Sequence, residues 1–81
     1  MLIIMKREKA EHIAEKVVAI LEAERIKKKI TKSLISKETG LSRTAWTLMV
    51  AKKNSPTLRT LLMVSDVIGI DLKEVIKQAE K

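Results

Sequence analysis

Few side chains in this sequence could perform covalent chemistry. There is one histidine, His12, and no cysteine, so the chain can assemble neither a thiolate nucleophile nor a Cys/His metal set nor a disulfide. Serines and carboxylates are present, but none stands at motif spacing from a base, and the two glycines form no phosphate-cradling loop. What the chain has in surplus is cations: 17 Lys+Arg against 10 Asp+Glu, a formal charge of +7. Cations bind anionic partners through charge-assisted hydrogen bonds, and an arginine fork can engage two acceptors at once. The chemistry on offer is non-covalent recognition, so the expectation is a non-enzyme with no cofactor and no catalytic or metal-ligating residue.

The location of the charge narrows the partner. Residues 1–29 carry 8 basic and 5 acidic side chains, 30–56 carry 5 and 1, and 57–81 carry 4 and 4. A charge spread for solubility alone would not concentrate in this way, and the asymmetry favours a nucleic-acid face in the first two segments. A membrane partner is not expected: the longest apolar run is Val17 to Leu21, and Met1 to Met5 is too short for a signal-peptide core and has its charges on the wrong side. The expected location is the cytoplasm.

These residues need a scaffold, and the composition restricts it. The 81 residues suffice for a single domain, 1–81, and 46% are hydrophobic, too many for a disordered tail. One Trp, no Phe and no Tyr argue against a sheet and against base-stacking aromatic platforms. Two glycines and one proline leave little for hairpin turns. The fold class expected is all-α, a compact bundle of about five short helices.

Periodicity and caps place those helices. From Lys9 to Lys28 the residues Ala10, Ile13, Val17, Ile20 and Leu21 form one stripe, with Glu11, His12, Glu15, Lys16 and Glu22 off it. Residues 1–8 are left as an N-terminal extension. Thr31 is an N-cap for a short helix carrying Leu34 and Ile35, and Gly40 is placed to end it. Ser42 caps the next helix after a turn of about three residues. Its inner face is Ala45, Trp46, Met49 and Val50; Arg43, Thr44, Thr47 and Leu48 are left outside. Asn54-Ser55-Pro56 breaks the chain, and Thr57 caps a helix with the apolar set Leu58, Leu61, Leu62 and Ile68, ended by Gly69. Asp71 and Glu74 form a D-x-x-E capping box before Val75 and Ile76.

The stretch from Ile30 to Val75 resembles the lambda-repressor-like, Cro-type (XRE-like) helix-turn-helix family. The resemblance runs without a gap through Ile30-Thr31, Ile35, Gly40-Leu41-Ser42-Arg43, Trp46, Asn54-Ser55-Pro56-Thr57-Leu58, Leu61-Leu62 and Ile68-Gly69, with Arg25 matching an arginine of the preceding helix. It implies a helix-turn-helix over about 31–52 and double-stranded DNA as partner, with the helix from Ser42 in the major groove. On that resemblance the base-reading positions are Arg43, Thr44 and Leu48, with Thr47 at the margin. Arg43 can offer a bidentate fork to guanine, and Leu48 can contact a thymine methyl. Lys32, Ser42, Lys52, Lys53 and Arg25 are the implied phosphate contacts, and Trp46 falls on a buried site. The implied function is a transcriptional repressor, and the implied assembly is a homodimer on two half-sites.

Two departures carry expectations of their own. Many family members have Glu and Gly where this chain has Val50 and Lys52, and that Glu usually pairs with the arginine matched by Arg25. Without it Arg25 is solvated, paired elsewhere or free for phosphate. Lys is strained at positive φ, so the helix is expected to run one or two residues longer or to end by another geometry. The segment Glu38 to Trp46 is also similar to the addiction-module antidote branch, which implies a toxin or other regulator protein as the alternative partner. Val18, Ile26, Met1 to Met5 and the last helix supply apolar residues beyond the needs of one small bundle. The expected dimer surface is therefore the helix around Leu72, Val75 and Ile76, or the N-terminal extension.

Overall fold

A computed structural model describes residues 6–81 of the chain. Five helices follow one another: α1 (Arg7–Lys27), α2 (Lys32–Thr39), α3 (Arg43–Val50), α4 (Leu58–Ile68) and α5 (Leu72–Glu80). Among the described residues there is no strand.

Helix α1 is the spine. It packs on α3, α4 and α5, while α2 packs on α3 and α4. Val17, Val18 and Leu21 of α1 are buried, and Ile13 and Ile20 pack beside them. Val18 therefore belongs to the core rather than to an apolar surplus, and Ala10, expected on the inner stripe, is exposed. The helix also starts earlier than the apolar stripe does. Arg7 and Glu11, one turn apart, pair at 3.1 Å, and Glu8 lies in the first turn where the helix dipole favours an acid. Residue 8 is thus not the end of an extension, while Met1 to Met5 lie outside the described residues.

Helix α4 carries more apolar residues than one face can bury. Leu61, Val64 and Ile68, spaced three and four apart, form the inner stripe with Thr60 and Ser65. Leu58 and Leu62, four apart on the adjacent stripe, remain 63% and 51% exposed, so of the apolar set Leu58, Leu61, Leu62 and Ile68 only Leu61 and Ile68 reach the core. In α5 the assignment is reversed. Leu72, Val75 and Ala79 are buried in the protomer, which removes Leu72 and Val75 as dimer contacts and leaves only half-buried Ile76.

The helix ends account for most of the chain's punctuation. Thr31, Ser42 and Thr57 each accept the backbone N–H three residues on, at 3.0–3.1 Å. Asp71 caps α5 by accepting from Lys73 N–H at 2.9 Å, but Glu74 pairs with Lys77, so only half of the expected capping box forms. Among the described residues four are left-handed: Gly40 and Gly69, the glycines expected to end helices, and also Lys29 and Lys52 at φ 59° and 63°. At α1, α3 and α4 the two closing backbone bonds run from consecutive N–H groups back to the last turn, as Lys52 to Met49 O and Lys53 to Leu48 O do for α3. The expectation that Lys52 avoids this conformation is overturned: α3 stops at Val50 and Lys52 takes the left-handed position itself. Those two bonds satisfy carbonyls that would otherwise be orphaned, which offsets the strain of about 1–2 kcal/mol on a side-chain-bearing residue.

Candidate nucleic-acid interface

The connection between α2 and α3 is three residues long, Gly40-Leu41-Ser42. Gly40 takes φ 76°, and Thr39 fastens the turn by donating to Ile35 O at 2.7 Å and accepting from Leu41 N–H at 3.1 Å. Leu41 packs against the core. The turn therefore sets the α3 backbone close to α1 and α2 and away from those of α4 and α5. Trp46 is 1% exposed, and Arg43, Thr44, Thr47 and Leu48 all face outward.

A groove opens where the start of α2 meets the outer face of α3. Its lining is Arg25, Thr31, Lys32, Ser33, Arg43, Thr44, Thr47 and Leu48. The four residues expected to read bases are thus brought together with Lys32 and Arg25. Two hydrogen bonds cross the groove: Lys32 Nζ donates to Thr47 Oγ1 at 3.0 Å, and Arg43 Nη1 to Ser33 Oγ at 3.4 Å. They hold the Arg43 and Thr47 side chains against α2. Sequence reasoning gives Thr31 a place only as a cap and in the family pattern, and gives Ser33 none. Their shared position on the first turn of α2, opposite the start of α3, is the signal that would have found them.

Beneath the groove lies a polar network that no motif or periodicity announces. Glu22 accepts from Arg25 through Nε and Nη2, and also from the indole N–H of Trp46 at 3.1 Å. Arg25 Nη1 donates to Ile30 O at 2.8 Å, tying the end of α1 to the approach of α2. The Arg25 and Glu22 side chains are only 13% and 16% exposed. The hydrogen bond from Arg25 holds the Glu22 carboxyl below the ordinary carboxylate range despite the opposing cost of burial, with the Trp46 bond adding to it. The same bond raises Arg25 further. Of the three fates open to Arg25, pairing elsewhere is the one observed, with an acid of its own helix in place of the family's acid on the recognition helix.

The other implied phosphate contacts lie outside the groove. Ser42 is exposed at the α3 cap. Lys53 is exposed in the loop after α3. Lys52 turns its ammonium toward α1, 3.7 Å from Glu15. His12 is exposed on α1, and among the described residues no group of three or more His, Cys, Asp or Glu is placed to hold a metal ion. None of the described helices is long and apolar enough to cross a membrane.

No curated protein and no solved structure matches the chain. A family model, the Cro/C1-type HTH DNA-binding domain, matches residues 21–79, from the last two turns of α1 almost to the end of α5. With that match spanning the turn, the groove and most of the core that supports them, the chain belongs to the Cro/C1-type helix-turn-helix DNA-binding domain family.

Proposed function

We propose that the protein is a transcriptional repressor, located in the cytoplasm with its operator, that binds double-stranded DNA in a sequence-specific way by placing the first turns of α3 in the major groove. The observation that carries this reading is the groove itself, which gathers Arg43, Thr44, Thr47 and Leu48 on one exposed face beside Lys32. Arg43 would fork onto guanine O6 and N7, and Leu48 would meet a thymine methyl. Lys32, Ser42 and Lys53 would contact phosphates on either side. Lys52 would do so only by leaving Glu15, and Arg25 would act as a positioning residue through Glu22. A homodimer would address two half-sites about 34 Å apart, one helical turn of DNA.

The test is selection of bound duplexes from a random pool, followed by titration of a selected duplex against salt. Five to eight phosphate contacts give a log–log slope of roughly −5 to −7. A pool that enriches no sequence, or a protein that binds no duplex at about 50 mM salt, would end this reading.

A further inference from the structure

A threonine hydroxyl is an ambiguous reader of bases, because it can donate to an acceptor or accept from an amino group. The Thr47 hydroxyl is not left with that freedom. Lys32 Nζ lies 3.0 Å from Thr47 Oγ1, and an ammonium has protons but no lone pair, so Lys32 donates and Thr47 accepts. The other bond across the groove, Arg43 to Ser33, differs in kind: a guanidinium is a donor toward any base, with or without Ser33.

We propose that Lys32 is a positioning residue for base recognition, which fixes the Thr47 hydroxyl as a donor and so makes it select guanine over cytosine at the base it meets. The proposal rests on the DNA-binding reading and deepens it by assigning the sign of one contact in the groove.

The bond occupies one lone pair of the Thr47 oxygen and leaves its proton available. Among the described residues Thr47 donates to no protein acceptor, whereas Thr39 on α2 donates to Ile35 O at 2.7 Å. The lone pair that remains on Thr47 lies beside a full positive charge. A cytosine edge presents an amino group, whose N–H donors would have to approach that ammonium. A guanine edge presents O6 and N7, which the hydroxyl proton and the ammonium both favour.

Lys32 is itself held in place. It is half-buried on the first turn of α2, and Glu22 attracts it from beneath the groove: after the Arg25 hydrogen bond and that of Trp46, the Lys32 charge also acts to lower the Glu22 pKa. The contact to Thr47 needs one N–H of the ammonium, and the other two remain for phosphate.

Selection of bound duplexes from a random pool, run in parallel on the full-length wild type, Thr47→Val, Lys32→Met and the double variant, tests the proposal. Thr47→Val identifies the position that Thr47 reads, as the one whose base preference flattens. There the wild type is expected to favour guanine over cytosine by about tenfold, and Lys32→Met to bring the ratio within about threefold with the other positions unchanged. Methionine keeps a long stem without the donor, and a uniform loss of phosphate affinity cancels from the ratio. In the valine background Lys32→Met should leave the ratio as it is, since no hydroxyl remains to be oriented. A Lys32 that merely held a phosphate or supported the fold would weaken all sequences alike, and that result would overturn the proposal. A wild type that prefers cytosine at this position, or a Thr47→Val chain with every preference intact, would overturn it equally. Side-chain couplings measured by NMR on the free protein provide a readout without DNA: Thr47 should show a single χ1 rotamer in the wild type and averaging in Lys32→Met. Couplings alike in the two proteins would overturn the contact itself. If they differ as expected while the wild type enriches no sequence, the DNA-binding reading fails and takes this assignment with it, and only the contact stands.

Discussion

The α2–α3 face and the α4–α5 face are both built from short amphipathic helices, yet they present opposite surfaces. On the first, the outward residues are mostly polar, Arg43, Thr44 and Thr47 beside Leu48 with Lys32 alongside, and the 27 residues from Ile30 to Pro56 hold 5 cations against a single acid. On the second the outward residues are Leu58 and Leu62, and the cations and acids cancel. The inner faces do the same work in both, with Ile35 and Trp46 meeting the core from one side and Leu61, Val64, Val75 and Ala79 from the other. Folding therefore constrains the two faces alike, and the difference lies in side chains that folding does not need. A polar face with directed donors suits a hydrated, charged groove, and an apolar face of balanced charge suits a protein surface.

The largest expected effect attacks the support of the reading face. Glu22→Gln should leave the Arg25 guanidinium enclosed without its counter-charge and cost about 2–3 kcal/mol of stability, a fall in Tm of about 10 °C or more. Because Trp46 is the chain's single tryptophan, its fluorescence reports directly on the same carboxylate. In the wild type the Glu22 pKa is lowered on folding, so its stabilising contribution is complete above the unfolded value of 4.5 and is lost as pH falls through the lower folded value. Acid titration should change Trp46 emission in the wild type below that pH and not in the Gln variant. Coincident titrations in the two proteins would show that Glu22 does not hold Trp46.

Next in size is Arg43→Ala, which should leave the melt unchanged and remove about 1–3 kcal/mol of discrimination at one base pair, read by competition between duplexes differing there. Loss of affinity by the same factor on every sequence would reduce Arg43 to a phosphate contact. Lys53→Ala should weaken all duplexes alike and reduce the magnitude of the salt slope by about 1. The smallest effect expected is that of Lys52→Gly, which relieves a left-handed lysine and should raise stability by about 1 kcal/mol, measured by urea unfolding. A destabilised glycine variant would show that the Lys52–Glu15 contact, 3.7 Å across exposed side chains, is worth more than the strain.

Much of the candidate site could be read before any coordinates. Thr31, Gly40, Ser42, Thr57 and Gly69 each act at a helix end where a cap or a left-handed residue was expected, and Arg43, Thr44, Thr47 and Leu48 fall on the outer face of α3. Those features depend on residues within four positions of one another. The errors share the opposite property. Leu58 and Leu62 match the helical period as well as Leu61 does, and only the placement of α1, α2 and α5 decides which stripe of α4 is covered. Nothing local distinguishes Leu72 and Val75 from a free apolar surface, and only the packing of α1 on α5 goes with their burial. Glu22 lies off the apolar stripe of α1. Its spacing of three from Arg25 allowed a pair, but the indole it holds is 24 residues away.

Composition, periodicity and caps were enough to determine that the chain is a bundle of short helices, where α2 to α5 begin and α2 and α4 stop, which way α3 faces, and on which half of the chain the charge accumulates. Those are matters of backbone hydrogen bonding and of side-chain direction within a turn. Only the tertiary structure decided that Arg25 is spent on Glu22 and Ile30, that Lys52 reaches back to Glu15, and that two leucines of α4 are left uncovered. Each of these depends on how helices distant in sequence cross, and a bundle this small has too few layers to cover every apolar stripe its helices carry.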